Sequence, residues 1–423
     1  MYSAFTRPWR FARMINLCHQ PWPATTAIAP RLSASELIEE ENTPYYHPEH
    51  FYPAKLGELL QGRYQITTKI GFGSGSTVWL ARDLWRCRWR SERFVAVKIV
   101  ARGSKSGEDD ICSELAMLKQ IGKANPRHKG WHFVRKLVDD FRIAEPHRNN
   151  TCLVFDPMRE PLWLYARRHP LRCIPANVLK VIIQMILDGL EYLHDECHII
   201  HADLKPNNIM VRIEDPAIFE RDARAEYSDP LPQKHVDGRI IYLSRNNYGA
   251  PSGPTGIVQI VDFDRSVSGT KAQSGCIQAD TYRAPEVILD AGYTYSADIW
   301  SLGVMLWDLL EGRKLFQVID AETGEYDEDL HLAQITALLG PQAKQLVTGK
   351  RSSMFYDLDG LLRKQDLVPK TFNFENSIQN IKGEEKEMFI KFVKRMINWC
   401  PAERSTAKEL LKDPWLHTDF PRD

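Results

Sequence analysis

A short stretch near the middle of the chain contains side chains whose types and spacing suit phosphate chemistry. In the stretch "HADLKPNN", Asp203 is followed by Lys205 and then by Asn208. A carboxylate accepts the proton of an attacking hydroxyl, and an ammonium offsets charge on a phosphoryl group. The amide oxygen of Asn208 is a hard ligand of the kind that Mg²⁺ prefers. The stretch therefore predicts a loop that handles a phosphate and a metal ion.

Asp262 and a glycine-rich segment extend this set. Asp262 follows the apolar stretch "IVQIV" and offers a second oxygen ligand. Gly71, Gly73 and Gly75 alternate between two strand-like segments, where the missing Cβ lets backbone N–H groups approach phosphate oxygens. A glycine turn in a hairpin is also common where it has a purely structural role. The segment is neither a dinucleotide-binding fingerprint, since a strand follows it, nor a Walker A loop, since no Gly-Lys-Ser/Thr follows.

Lys98 stands in "VAVKIV", between apolar neighbours. A lysine inside a buried strand is costly unless it is paired, and the alternative is an edge-strand lysine that reaches solvent. Glu114 on the next predicted helix is the candidate partner, and the pair would hold the ammonium over phosphate oxygens. Each residue is ordinary by itself, but the ordered set of all these motifs is not expected by chance.

The elements that must position these residues fall into two halves. Before Pro157 the chain predicts strands, with a weakly alternating one at Tyr64 to Ile70 and a strong buried one at Phe94 to Val100, and one helix over 108–121. After Pro157 the pattern is helical, with segments from Pro175 to about Leu193 and at 296–311, 328–339, 384–398 and 405–412. Residues 211–256 are polar and rich in Pro and Gly, which predicts an inserted surface segment without its own core.

The composition of the 423-residue chain is typical of a soluble globular protein with about two to three domains. Lys plus Arg and Asp plus Glu number 55 each, so no global basic field indicates a nucleic-acid partner. No apolar run reaches the ~18 residues of a membrane span. The eight cysteines include no C-x-x-C pair, and we expect them to be reduced thiols.

The first 35 residues contain four arginines and no acid, and three of the arginines, Arg7, Arg10 and Arg13, would share a helical face. This pattern is typical of a mitochondrial presequence. The alternatives are a disordered basic tail and a start codon placed too far upstream. We expect a cytoplasmic and nuclear protein, or a mitochondrial one if this segment is a presequence.

The ordered set resembles the protein-kinase signatures: a Gly-rich loop, the V-A-I-K lysine, H-R-D-x-K-x-x-N, D-F-G and A-P-E. They stand here as "GFGSGS", "VAVK", "HADLKPNN", "DFD" and "APE", and the resemblance runs from about residue 60 to residue 417. "YRAPE" is similar to the group that contains cyclin-dependent, MAP and SR-protein kinases. "STVWLARD", "HIIHADLKPNNIM" and "YSADIWSLGVM" resemble SR-protein kinases, especially divergent fungal relatives, in which the third loop glycine is also Ser, here Ser76.

The resemblance implies the α+β protein kinase fold, in which a small lobe with a five-stranded antiparallel sheet and the Glu114 helix joins a larger, mostly helical lobe. The insert lies where SR-protein kinases have a spacer, though it is much shorter. The predicted division is a basic, disordered segment 1–45, an extended arm 46–62, a small lobe 63–156, a large lobe 157–418 with the insert 211–256, and a tail 419–423.

The resemblance also implies roles, with ATP and Mg²⁺ as cofactors. Asp203 and Lys205 would be catalytic, and Asn208 and Asp262 would bind the metal. The residues expected at the nucleotide are Ile70, Gly71, Phe72, Gly73, Ser74, Gly75, Val78, Ala96, Lys98 and Glu114, with Phe155 behind the adenine and Asp156 to Met158 as the hinge. The residues expected to hold the substrate and catalytic loops are Arg283, Glu286, Arg404 and Asp298.

Three positions depart from the family pattern. Ala202 replaces an Arg that in many kinases receives an activation-loop phosphate; SR-protein kinases also lack it, which implies activity without that phosphate. Asp264 replaces the Gly of D-F-G and puts a Cβ and a charge near the metal site. Ala279 stands where many Ser/Thr kinases have a Thr that bridges Asp203 and Lys205. The last two favour the alternative, a pseudokinase scaffold that binds nucleotide or partners without efficient transfer.

The expected function is that of a non-specific, ATP-dependent serine/threonine protein kinase, with Lys205 implying Ser/Thr over Tyr. Its expected partners are protein substrates, with Arg/Ser-rich proteins as one class, and we expect a monomer without direct nucleic-acid contact or a membrane span. Residues 320–329 hold six acids and no Lys or Arg. They fit equally an acidic docking groove like that of SR-protein kinases and a solvated acidic loop.

Overall fold

The computed structural model describes residues 17–44, 46–102, 108–145, 148–169, 171–253, 255–342 and 349–420. These residues form two compact units. The first contains the chain up to Cys112 together with Lys136–Arg159 and Ile213–Thr255. The second contains Ser113–Arg135, Glu160–Arg212 and the chain from Gly256 onwards. The presequence predicted around residues 7–13 lies outside the described residues.

An antiparallel sheet forms the centre of the first unit. Its strands are β1 (Leu59–Leu60), β2 (Tyr64–Gly73), β3 (Ser76–Asp83), β4 (Phe94–Val100), β5 (Leu137–Glu145) and β6 (Arg148–Phe155), in the order β1-β2-β3-β4-β6-β5. The predicted strand at Phe94–Val100 is confirmed. Trp79, Val95, Val97 and Val154 pack together in a buried hydrophobic core. Since side chains alternate along a strand, the residues between them face the other side of the sheet.

The segment Ile213–Thr255, which the sequence analysis attached to the large lobe as a surface insert, belongs to the first unit. It contains the helix Ala217–Ser228 and a hairpin of the strands Gln233–Val236 and Arg239–Tyr242. Phe219 of the helix is buried in a cluster with Leu80 and Phe94, and Tyr242 joins the main core. The insert is grouped with the sheet because its few apolar side chains are buried there.

The chain before the sheet also packs on the first unit, although the sequence analysis assigned residues up to 45 to a disordered segment. It contains the 3-10 helices Glu39–Asn42 and Pro48–His50. Lys69 of β2, only 1% exposed, forms an ion pair with Glu40, and Lys234 of the insert, also 1% exposed, lies 2.8 Å from Glu41. Buried lysines need such partners, so these acids fix residues 17–44 to the sheet and the insert.

The second unit is mostly helical. The predicted helix over 328–339 is confirmed with its bounds, and the one over 296–311 is confirmed and ends one residue earlier. Helix Ser296–Leu310 is apolar on nearly all sides and buried, as expected for a helix in the core of a domain. None of the helices in the described ranges is long and apolar enough to cross a membrane. Among the described residues, the α-helices that contribute to this unit are Glu108–Lys123, Leu162–Arg167, Ala176–Glu191, Pro285–Ile288, Ser296–Leu310, Glu328–Leu339, Ser352–Phe355, Phe374–Ser377, Gly383–Lys394, Ala407–Leu410 and Pro414–His417.

Short strands complete the second unit. The strands Val258–Ile260, Ile209–Val211 and Glu160–Pro161 form a small antiparallel sheet in that order, and Val267–Ser268 pairs with Ile199–Ile200. Between these pairs lie the two loops that contain Asp203 and Asp262. The strand pairing therefore sets the position of both loops.

Candidate active site

Asp298 fixes the backbone of the loop that precedes Asp203. Its Oδ2 accepts the N–H of His201 at 2.8 Å and its Oδ1 accepts the N–H of Ala202 at 2.9 Å. Ala202 has a φ of 65°, a left-handed conformation that residues other than glycine rarely adopt. Burial acts to raise the pKa of Asp298, but the hydrogen bonds and charge interactions of His194 and His201 together outweigh it, so the pKa lies below its ordinary value. The ionised carboxylate thus holds a strained turn in place.

The Asp203 carboxylate is held through one of its two oxygens. Oδ2 lies 2.7 Å from Lys205 Nζ and accepts the Nδ2–H of Asn208 at 3.0 Å. The Asn208 amide also donates to the Asp203 carbonyl at 2.8 Å. Oδ1 is buried and has no hydrogen-bond partner among the described residues. One oxygen is therefore fixed by the protein, and the other remains available to a ligand.

Strand pairing brings Asn208 and Asp262 to the same end of two strands. Ile209 pairs with Ile260, and the next N–H, of Val261, donates to the Asn208 carbonyl at 2.9 Å. Because Nδ2 of Asn208 is bound to Asp203, its Oδ1 is the amide atom left for a metal. An amide oxygen and a carboxylate suit Mg²⁺, which usually takes one or two protein ligands together with phosphates and water. The residues present therefore fit the predicted metal.

The cross-strand register places several predicted nucleotide residues on one face of the first sheet. Gly71 pairs with Val78, and Val78 pairs with Lys98. Ala96 lies two residues from Lys98 and pairs with Phe155. Because cross-strand partners and residues two apart share a face, this set lies opposite the hydrophobic core. Lys98 is thus on a central strand, not on an edge strand as in the alternative.

Neither backbone conformation nor packing explains the glycines at Gly71 and Gly73. Neither has a positive φ. A Cβ on Gly71 would meet Val78 at 4.0 Å and one on Gly73 would meet Ser76 at 3.8 Å, which are ordinary contacts. The space beside these backbones therefore favours the interpretation that a ligand approaches closely there.

Other predicted nucleotide residues lie in the same unit. Phe155 and Met158 are buried, at 5% and 6% exposure. The Asp156 side chain is exposed and lies 3.1 Å from Arg93. Glu114, on helix Glu108–Lys123, is also buried, but it belongs to the second unit. The Lys98–Glu114 pair remains a prediction.

The remaining predicted nucleotide residues lie at the end of β2 or in the turn that follows it. Phe72 is 42% exposed near the end of β2, and Ile70 packs at the edge of the cluster that includes the insert helix. Ser74 and Gly75 form the two-residue turn between β2 and β3.

Glu286 and Arg404 form a bidentate ion pair with distances of 2.6 and 2.7 Å. Both side chains are 0% exposed. The guanidinium also donates to the Asn398 carbonyl at 2.9 Å and lies 4.9 Å from the Trp300 ring centre. A buried pair with this many contacts holds the segment after Asp262 to the helical core.

Gln278 is a central residue that the sequence analysis missed. It is 1% exposed and has a φ of 66°. Its Nε2 donates to the Ala297 carbonyl and the Ser301 hydroxyl, each at 2.8 Å, and its Oε1 accepts the Ala284 N–H at 2.9 Å. Its own N–H donates to the Ala202 carbonyl at 2.9 Å. A glutamine in a loop carries no pattern that would mark it, yet it connects the catalytic loop to the substrate loop.

Arg283 contacts other residues of the same loop. Its guanidinium lies 2.8 Å from Asp280 Oδ1 and donates to the Gln278 carbonyl at 3.2 Å. It also stacks 4.8 Å from the centre of the Tyr326 ring. Arg283 therefore acts on the loop's own backbone.

Two departures from the family pattern are accommodated by the structure. Lys205 contacts Asp203 directly at 2.7 Å, so the pair does not need the hydroxyl that Ala279 lacks. Asp264 is exposed and does not have a positive φ, so its Cβ causes no backbone strain there.

The acidic segment 320–329 is mostly engaged within the fold. Asp320 accepts backbone N–H groups of its own turn, and Asp327 accepts the Leu330 N–H at the start of helix Glu328–Leu339. Glu328 lies 2.6 Å from Arg351, and Asp329 lies 2.6 Å from Lys364. The two acids that are exposed are Glu322 and Glu325.

The family model of the protein kinase domain matches residues 64–416. A serine/threonine protein kinase of Aspergillus fumigatus is 34% identical over 419 residues, which cover 98% of this chain and 99% of that protein. The serine/threonine-protein kinase SRPK of Physarum polycephalum is 30% identical over 413 residues, covering 89% and 91%. A crystal structure of a kinase domain aligns with a TM-score of 0.65 at 23% identity, covering 87% of this chain and 99% of that one, and confirms the predicted α+β fold. The chain belongs to the serine/threonine protein kinase family and has SRPK among its relatives.

Proposed function

We propose that this chain is an active kinase that transfers the γ-phosphoryl group of ATP to Ser or Thr of protein substrates. The Asp203 carboxylate is the observation that carries the proposal. Its Oδ2 is fixed by Lys205 and Asn208, whereas its buried Oδ1 has no hydrogen-bond partner among the described residues. A buried polar atom without a partner is costly. Here it is the atom that would accept the proton of a substrate hydroxyl.

The other residues have roles that follow from their positions. The Lys205 ammonium, beside Asp203, would offset charge on the transferred group. Bound Mg²⁺ would neutralise phosphate oxygens, and Asn208 Oδ1 and the Asp262 carboxylate would hold it. Lys98 would orient the phosphates of ATP from the sheet face that it shares with Val78.

The pseudokinase alternative rested on Ala279 and Asp264. The direct contact between Lys205 and Asp203 makes a bridging hydroxyl unnecessary, and Asp264 is exposed on unstrained backbone. These observations support the active kinase over a scaffold without transfer.

We also propose Arg/Ser-rich proteins as one substrate class. The name of the SRPK relative motivates this proposal. Glu322 and Glu325 support it as exposed carboxylates that could contact arginines. The other four acids of the segment bind partners within the fold, so any docking surface there is smaller than the sequence indicates.

The test is a radiolabelled ATP assay with an Arg-Ser peptide and Mg²⁺. We expect transfer by the parent and a drop of roughly 10²–10⁴-fold in Asp203→Ala, the usual effect of losing a general base. Asp195→Ala removes an exposed acid of the same unit and serves as the matched control, with unchanged activity expected. Equal rates for Asp203→Ala and parent would show that Asp203 is not the base. A parent that is stabilised by Mg-ATP but transfers nothing would support the pseudokinase.

A further inference from the structure

Cys18 and Cys87 lie opposite each other on two antiparallel segments of the first unit. The N–H of the residue after Cys87 donates to the carbonyl before Cys18 at 2.8 Å. The N–H of the residue after Cys18 donates to the carbonyl before Cys87 at 3.3 Å. These bonds flank the two cysteines, which therefore form a non-hydrogen-bonded pair of an antiparallel ladder.

This register suits a covalent bond between the two side chains. In a non-hydrogen-bonded pair the Cα atoms lie about 4.5 Å apart and the side chains are on the same face. A disulfide spans Cα distances of about 4.4–6.8 Å, and the spacing of such a ladder pair falls within this range. Both thiols are free and half-buried, so an oxidant can reach them. We propose that Cys18 and Cys87 form a reversible disulfide, a modification site separate from the kinase reaction.

Hydrogen peroxide can serve as the two-electron oxidant that forms this disulfide. Hydrogen peroxide would convert one thiolate into a sulfenic acid and release water. The second thiol would then attack the sulfenic sulfur and expel a second water as the disulfide forms. Two thiols and one peroxide thus give one disulfide and two waters, and a small thiol restores the reduced pair by exchange.

Other cysteines of the described chain are placed differently. Cys152, Cys173, Cys197 and Cys400 are buried. Burial raises the pKa of the Cys197 thiol to about 11, which keeps it protonated and unreactive at neutral pH. Cys276 is exposed and provides a comparison for simple accessibility.

The disulfide would fasten the chain before the kinase domain to the loop between β3 and β4. Shortly after Cys18, the Trp22 N–H donates to Gln65 at 2.9 Å, and the Arg82 guanidinium lies 4.3 Å from the Trp22 ring centre. Gln65 belongs to β2 and Arg82 to β3, the strands joined by the glycine turn. Oxidation would therefore make this attachment covalent until the disulfide is reduced, without adding a new contact surface.

The test uses the purified full chain, reduced and then treated with hydrogen peroxide, alkylated and digested with chymotrypsin without reductant. Trp85 and Trp89 flank Cys87 and are 61% and 72% exposed, so chymotrypsin can cleave after both and release a short peptide that contains Cys87. We expect a linked pair of peptides with Cys18 and Cys87, loss of two hydrogens from the intact mass, and reversal by dithiothreitol.

Variants separate this pair from general oxidation. Cys18→Ser and Cys87→Ser should each abolish the linked peptides, whereas Cys276→Ser should leave their yield unchanged. Oxidised parent should also resist proteolysis before residue 22 better than either variant. Recovery of Cys18 and Cys87 as alkylated or over-oxidised thiols, while Cys276 is oxidised, would overturn the proposal. Peptide mapping of the parent decides the question even if a variant fails to fold.

Discussion

Replacing Gln278 with leucine tests whether the substrate loop is held in place without a phosphate. The amide makes three buried hydrogen bonds, to Ala297, Ser301 and Ala284, at 2.8 to 2.9 Å. Leucine has a similar size but leaves the Ala284 N–H unpaired, and such a group costs about 1–3 kcal/mol. The Ala297 carbonyl lies within helix Ser296–Leu310 and keeps its intrahelical partner. The Ser301 hydroxyl keeps its bond to the Tyr282 carbonyl. The variant should therefore destabilise this arrangement of the loop by about 1–3 kcal/mol.

Ala202 provides no cation that could bind a phosphate on the loop. An Arg at this position would allow a loop phosphate to add about 1.5–3 kcal/mol per charge-assisted contact. Ala202 is 0% exposed and has no charge, and its carbonyl accepts the Gln278 N–H instead. The loop must then be ordered by its own packing and hydrogen bonds. Protein made in bacteria and treated with phosphatase should be as active as untreated protein.

The assay is kcat/KM for a Ser peptide, together with thermal unfolding of each protein. Since 1.36 kcal/mol is a factor of ten in rate, we expect Gln278→Leu to lose roughly fivefold or more in kcat/KM. Gln273→Leu is the matched control, because that side chain is partly exposed and makes one bond, to the Ser268 carbonyl at 2.8 Å. It should remain within about threefold of parent, as surface changes usually do.

Two results would refute the reasoning. One is a Gln278→Leu enzyme that matches the Gln273→Leu control while both remain folded. The other is a loss of about tenfold or more in activity after phosphatase treatment, roughly 1.4 kcal/mol. Such a loss would mean that another cationic side chain binds an activating phosphate on the loop.

Three further predictions concern Lys98, Arg404 and His331. Lys98→Met should abolish phosphoryl transfer with an unchanged circular dichroism spectrum, because it keeps the apolar stem and removes the ammonium; normal transfer would disprove its role. Arg404→Leu should lower the free energy of unfolding by about 3–5 kcal/mol, because Glu286 is left buried and unpaired, and denaturant titration should show partial recovery when Glu286→Leu is added. Burial lowers the pKa of His331 in the folded protein to about 3. In the unfolded chain the same imidazole binds a proton as the pH falls below about 6.5, while in the folded protein it stays neutral. The unfolding free energy should therefore decrease by up to about 1.4 kcal/mol per pH unit below that point, and His331→Phe should remove this slope in denaturant titrations.

Local elements and the chemistry of the motifs could be predicted from the sequence. The strand Phe94–Val100 and the helix Glu328–Leu339 were predicted with their bounds, the strand because a short, nearly continuous apolar run is typical of a buried strand. The motif around Asp203 also allowed a prediction of proton transfer and metal binding, because a carboxylate, an ammonium and an amide at that spacing suit phosphoryl transfer.

Only the tertiary structure decided which distant residues meet. Gln278 became a central residue because the fold buries its amide beside Ala284 and Ala297, and no sequence pattern marks such a site. Four acids of segment 320–329 are engaged within the fold, two of them by Arg351 and Lys364, which lie far along the chain. The insert Ile213–Thr255 was grouped with the sheet for the same reason. Periodicity is a local property, whereas the partner of a side chain depends on which surfaces pack together when the whole chain folds.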